Sequence, residues 1–116
     1  MIEIPDGLFA SDEPYVPDVQ RLYRLYPPLL DPNDPKPTRP AVVVRADADI
    51  VVVTRSASAK KGVFHANSPA GGLTKDGRFS RVRSVSALLW TPKVAKSLDL
   101  VLDDATFKLV CEEFGL

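Results

Sequence analysis

Two runs of mostly β-branched residues stand out from the polar background, Ala41-Val42-Val43-Val44 and Ile50-Val51-Val52-Val53-Thr54. Charged or turn-forming residues bound both, and Ala46-Asp47-Ala48-Asp49 between them suits a hairpin connection. The pattern predicts two adjacent antiparallel strands. Upstream, Val19, Leu22, Tyr23, Leu25 and Tyr26, in and just after Val16–Leu25, fit either a strand or a short amphipathic turn; we read a first strand. Downstream, residues 60–66 predict a strand edge, residues 67–72 a loop, and residues 80–88 a further strand in which Val82 and Val85 alternate imperfectly with Arg81, Arg83 and Ser84.

Helical signals come late. Thr91-Pro92 sets a capping hydroxyl before a proline at the first helical position, so Val94, Ala95 and Leu98 predict one short helical turn. A longer helix starts at Asp103 or Asp104, carries Ala105, Leu109, Val110 and Phe114 as its apolar stripe, and stops at Gly115. Short strands punctuated by Gly and Pro, followed by a helix, suggest a mainly β fold: a small closed or half-open barrel with a C-terminal helix.

Proline changes the picture of the first forty residues, which hold nine of the eleven prolines. Because proline fixes φ and lacks an N–H donor, most of this region is neither a central strand nor a long helix. Residues 27–38 read as an extended, exposed loop. Length and composition then bound the whole: 116 residues with 45% hydrophobic and 26% charged content fit one folded domain and not a disordered chain. The N-terminus lacks a basic segment followed by an apolar one, and no apolar run reaches the ~18 residues that span a bilayer, so we expect a cytoplasmic protein that is neither exported nor inserted. A lone cysteine, Cys111, excludes an internal disulfide framework and a multi-cysteine metal site; we read it as packing on the helix.

Overall neutrality hides a segregation of charge. Residues 1–49 hold five basic and nine acidic side chains, a net of −4. Residues 50–97 hold nine basic side chains against Asp76 alone, a net of +8, and residues 98–116 hold Lys108 against five carboxylates, again −4. Such a central block suits an anionic partner, since phosphate contacts come mainly from Lys and Arg. Equally, it suits a solvated surface balanced in space by the two acidic ends.

The order of these features carries a resemblance. Asp18 before a first strand, a long loop, Arg39-Pro40 opening one aliphatic strand, a second ending in Thr54, and then Gly72-Leu73 with Asp76 is similar to the MazF/PemK family of toxins. The likeness runs from Asp18 to Leu116, leaving residues 1–17 as an N-terminal extension of one SH3-like barrel domain spanning 1–116. It implies a homodimeric, metal-independent endoribonuclease that needs no cofactor, cuts single-stranded RNA and is restrained by a small acidic antitoxin. The family's catalytic arginine and threonine fall on Arg39 and Thr54. RNA cleavage by the neighbouring 2′-hydroxyl builds negative charge on the phosphate oxygens, and a guanidinium and a hydroxyl supply donors to it. The plainer alternative is that Arg39 pairs with a loop aspartate and Thr54 merely ends a strand.

Arg55, Ser56, Lys60 and Lys61 follow Thr54 and are candidates for holding the RNA backbone, with His65 added as the only side chain that titrates near neutrality when unperturbed. Trp90 and Phe79 lie beside the basic block; either can stack on bases, and burial is the favoured place for Trp90. Two other functions fit the same residues. One is a non-catalytic SH3-like module binding nucleic acid or protein; the other is a toxin of related fold that poisons a topoisomerase through the C-terminal helix.

Overall fold

A computed structural model describes residues 13–116. The first twelve residues of the predicted extension lie outside the described part. Strands β1 (Arg21–Leu25), β2 (Arg39–Ala46), β3 (Asp49–Ser56), β4 (Val63–His65), β5 (Gly77–Ser86) and β6 (Ala95–Val101) are followed by helix α1 (Asp104–Phe114). All pairings are antiparallel, in the order β4-β5-β3-β2-β1-β6. The sheet curls into a half-barrel, mainly β with one C-terminal helix among the described residues.

The valine runs are buried on both sides, which is why they read as continuous rather than alternating. On one face Ala41, Val43, Ile50, Val52 and Val85 join Tyr23, Leu25 and Trp90. On the other, Leu22, Val42, Val53 and Phe79 join Leu73, Leu102 and Val110. Trp90 and Phe79 are both fully buried. The core, not a base-stacking surface, is therefore the place of both rings. Of the extension, residues 13–17 include Tyr15, whose N–H donates to the Trp90 carbonyl (3.0 Å) and whose hydroxyl donates to the Ala95 carbonyl (2.6 Å). Burial there pushes the Tyr15 hydroxyl up to about 12.

Three expectations are corrected. First, the helical reading of Val94, Ala95 and Leu98 holds only as a turn, with the N–H groups of Val94 and Ala95 both donating to Thr91 O; Ala95 onward is β6. The reason is edge pairing: β1 presents unpaired backbone groups on the side away from β2, and β6 satisfies them. Second, α1 packs through Phe107, Val110 and Phe114, while Ala105 and Leu109 face solvent. Asp103 caps its start, accepting from Thr106 N (2.9 Å), and Gly115 closes it at a φ of 67°.

Third, the proline-rich loop is not exposed along its whole length. Leu29 and Leu30 insert into the first core cluster, and Arg83 on β5 donates to both of their carbonyls. This clip lays the rest of the loop across the polar end of the sheet. Accordingly, Leu29→Ala should cost about 2–5 kcal/mol in urea unfolding, as for a core leucine. Pro32→Ala, a few residues on and exposed, should change stability by less than about 0.5 kcal/mol.

Candidate functional site

Strand alternation decides what each end of the sheet presents. Ala41 pairs with Thr54, and Thr54 pairs with Arg81. Arg39, two residues before Ala41, thus shares a face with Thr54, Ser56 and Arg81 beyond the point where the valines end. The register between β3 and β5 shifts after Thr54, leaving Ser80 as an extra residue on β5. Together Arg39, Thr54, Ser56 and Arg81 line a cleft of about 240 Å³, with Asp34 from the proline-rich loop and Ser58 and Ser80 completing its polar wall.

Within this cleft Arg39 and Asp34 form a bidentate pair. Nε donates to Oδ2 and Nη2 to Oδ1, both at 2.9 Å, and both side chains are mostly shielded from solvent. The Arg39 guanidinium holds the Asp34 carboxyl below the usual carboxylate range. The loop aspartate of the plainer alternative therefore exists. Thr54 Oγ1 makes only a long bond, to Arg81 O (3.4 Å), and the Ser56 and Ser58 hydroxyls lie 3.1 Å apart. Hydroxyls with such loose partners are free to turn toward a ligand.

Arg39 also borders a second cleft, of about 200 Å³, on the side of Pro40 and Leu73. Its lining includes Arg24, Lys36, Arg55 and Lys75 with Thr38 and Thr74, and no carboxylate. Arg24 Nη1 donates to Thr38 Oγ1 (2.9 Å), tying β1 to the end of the loop. A larger groove of about 410 Å³ lies elsewhere, between Tyr15 and β6; Asp18 lines it, but none of the predicted catalytic or RNA-binding residues does.

The predicted RNA-binding set is therefore split. Ser56 lines the first cleft; Lys60 and Lys61, both exposed, do not line it and follow the lining residue Ala59 on the loop before β4. Arg55 points the other way. It is the one charged side chain buried among the described residues, 3% exposed, and it donates from Nε to His65 Nδ1 (2.9 Å) and from Nη2 to the carbonyls of His65 (3.0 Å) and Lys75 (2.7 Å). Its donors hold β4 and the following loop together, so it offers an RNA strand charge more than contact. Gly77 is required here: a Cβ would fall 2.9 Å from Arg55 Nη1 and from Ser56 O.

His65 likewise packs inward against Phe79, with ring centroids 5.3 Å apart, and lines neither cleft. Burial, reinforced by the Arg55 guanidinium, pulls its pKa below the ordinary histidine value. It is a neutral acceptor for Arg55 and not an acid or base facing either cleft. Sequence reasoning foresaw a loop aspartate on Arg39 without singling out Asp34; it missed Arg81 and Ser80 in the first cleft, and Arg24, Lys36 and Lys75 in the second. Period-two alternation would have separated Arg55 from Thr54 and Ser56. The β3–β5 pairing that brings in Arg81 has no local signature.

No family model and no curated protein matches the sequence.

The Arg55–His65 pair sets a pH dependence. A histidine whose folded pKa is depressed stabilises the fold fully above its unfolded value of about 6.5, and that contribution is lost as pH falls through 6.5 towards the folded pKa. Unfolding free energy should therefore decline from pH 7.5 to pH 5, and the His65 ring resonances should titrate with a midpoint below 6.5. Arg55→Met leaves the part-buried carbonyls of His65 and Lys75 without their donor and should cost about 3 kcal/mol, from about 1–3 for each unsatisfied group.

Proposed function

We propose that this chain is an endoribonuclease acting on single-stranded RNA, an SH3-like barrel of the MazF/PemK type that works as a homodimer and is held in check by a small acidic antitoxin. One observation carries the reading: Arg39 and Thr54, on different strands, line one cleft together with Arg81, next to a second cleft walled by cations. The fold class agrees with it in outline, since a curled antiparallel sheet and a C-terminal helix are what that family's barrel requires. No helix among the described residues is long and apolar enough to cross a membrane.

The chemistry follows from the groups in the cleft. The RNA 2′-oxygen bonds to phosphorus as the bond to the 5′-oxygen of the next nucleotide breaks. A cyclic phosphate and a 5′-hydroxyl result; the 2′-hydroxyl loses its proton and the leaving oxygen gains one. Negative charge builds on the two non-bridging oxygens, where preorganised donors count most. A guanidinium does not release its proton in proteins, so the part of Arg39 is electrostatic and not basic. The Thr54 hydroxyl supplies a further donor, and Arg81 adds positive charge.

A second reading has one observation in its favour. Asp34 already occupies two donors of Arg39, as expected in a non-catalytic module that binds nucleic acid through the same face. That module would show saturable, salt-sensitive binding without products.

The two readings separate in one assay. Purified protein incubated with single-stranded RNA and chelator should yield fragments ending in cyclic phosphate. Arg39→Ala and Thr54→Ala should each lower the rate about 100-fold or more, as for loss of a preorganised oxyanion donor, while the circular dichroism spectrum stays unchanged. Absence of fragments, or cutting by both variants at the parental rate, refutes the catalytic reading.

A further inference from the structure

The cleft beside Arg39 has a composition that the cleavage chemistry alone does not require. Arg24, Lys36 and Lys75 reach it from three separate segments, β1, the proline-rich loop and the loop before β5, and Thr38 and Thr74 add hydroxyls. Neither lysine has a carboxylate within ion-pair distance among the described residues. The neighbouring acid, Asp76, turns away and accepts from Asn67 N at 2.8 Å. Arg55 beneath contributes charge, although its Nε and Nη2 are engaged with His65 and backbone carbonyls. The nearest counter-charges, Asp34 on Arg39 and Asp76 near Arg55, lie outside the lining of this cleft, so the cations within it still repel one another and an anion in the cleft relieves the repulsion.

We propose that this cleft is a second phosphate site, which holds the phosphodiester adjoining the one at Thr54 as a single RNA strand passes across Arg39. The inference rests on reading the first cleft as an RNA site. Arg39 is the shared wall: it lines both clefts, so a strand crossing the end of β2 has a cation at each step. Arg24, fixed by its bond to Thr38, supplies the rigid charge, while Lys36 and Lys75 supply adaptable ones. A cleft lined mainly by cations and hydroxyls reads phosphate and not base identity, so the site adds affinity and register without sequence preference.

The test separates binding from cleavage by using a fluorescent 2′-O-methyl RNA, which lacks the attacking hydroxyl. Anisotropy titrations at several salt concentrations give the slope of log K against log salt. Each phosphate neutralised on a single strand contributes about 0.7 to that slope and the site holds one phosphodiester, so Lys36→Ala/Lys75→Ala should flatten it by about 0.7. Both lysines are exposed and their side chains make no hydrogen bond among the described residues, so the fold should be kept. Lys93→Ala/Lys108→Ala removes the same charge from exposed positions outside both clefts and should leave the slope within about 0.3 of the parent. An unchanged slope in the first variant, or an equal loss in the control, overturns the site. If RNA bearing 2′-hydroxyls is not cut while the slopes behave as stated, only the nuclease reading falls.

Discussion

Ala41 stands opposite Thr54 in the central ladder, and that register decides what each face of the sheet can offer. Side chains alternate with period two, so a one-residue slip would carry Thr54 and Ser56 to the helix side and bring Arg55 into the first cleft. Burial on both faces prevents the slip: Val43 and Val52 fill one cluster while Val42 and Val53 fill the other. Where the valines end, the same alternation continues with polar residues. The cleft is thus the place where a two-sided core runs out of apolar side chains on one face, and its geometry is inherited from the packing of that core.

On the other face the run ends in Arg55, and here a buried cation does the work of an apolar residue. Removing a guanidinium from water is costly, and only a dense set of acceptors offsets it. His65 Nδ1 and the carbonyls of His65 and Lys75 provide that set, so strand β4, only three residues long, is tied to β3 through a side chain as well as through its pairing with β5. Gly77 leaves the space that the guanidinium fills, and Gly62, at a φ of 114°, has no room for a side chain against Phe79 O. The loop that carries Lys60 and Lys61 therefore leaves the sheet from a firm base even though the lysines themselves are free in solvent.

Where the pattern was local, it was legible. The β2–β3 hairpin, the edge position of β4, β5 and the capped start and stop of α1 all follow from runs of valine, from charged boundaries and from Asp103 and Gly115. What failed was set by distant partners. Ala95–Val101 carries Lys96, Ser97 and Asp99 and has a bulge opposite Leu22 and Tyr23, so it lacks strand periodicity; the open edge of β1 recruits it. Leu29 and Leu30 sit among prolines that signal exposure, and Arg83, more than fifty residues away, pins them down. For the site, Arg39 and Thr54 were legible as strand ends, whereas Asp34 and Arg81 enter only through loop docking and the β3–β5 register.

The Asp34–Arg39 pair bears most directly on whether this end of the sheet can hold a phosphate. A guanidinium has five N–H donors, and the bidentate pair engages two of them, so three remain. A carboxylate in that position costs the site part of its positive charge, but it also removes the rotamer freedom that a lone arginine would lose on binding an anion. A pair so shielded is worth more in fixing the side chain than a surface ion pair, whose contribution is at most about 1 kcal/mol. The compensation comes from next door. With no carboxylate lining the second cleft, the net field at the shared wall stays positive even after Asp34 is counted. Arg39 can therefore be both anchored and attractive, because its charge is neutralised on one edge only.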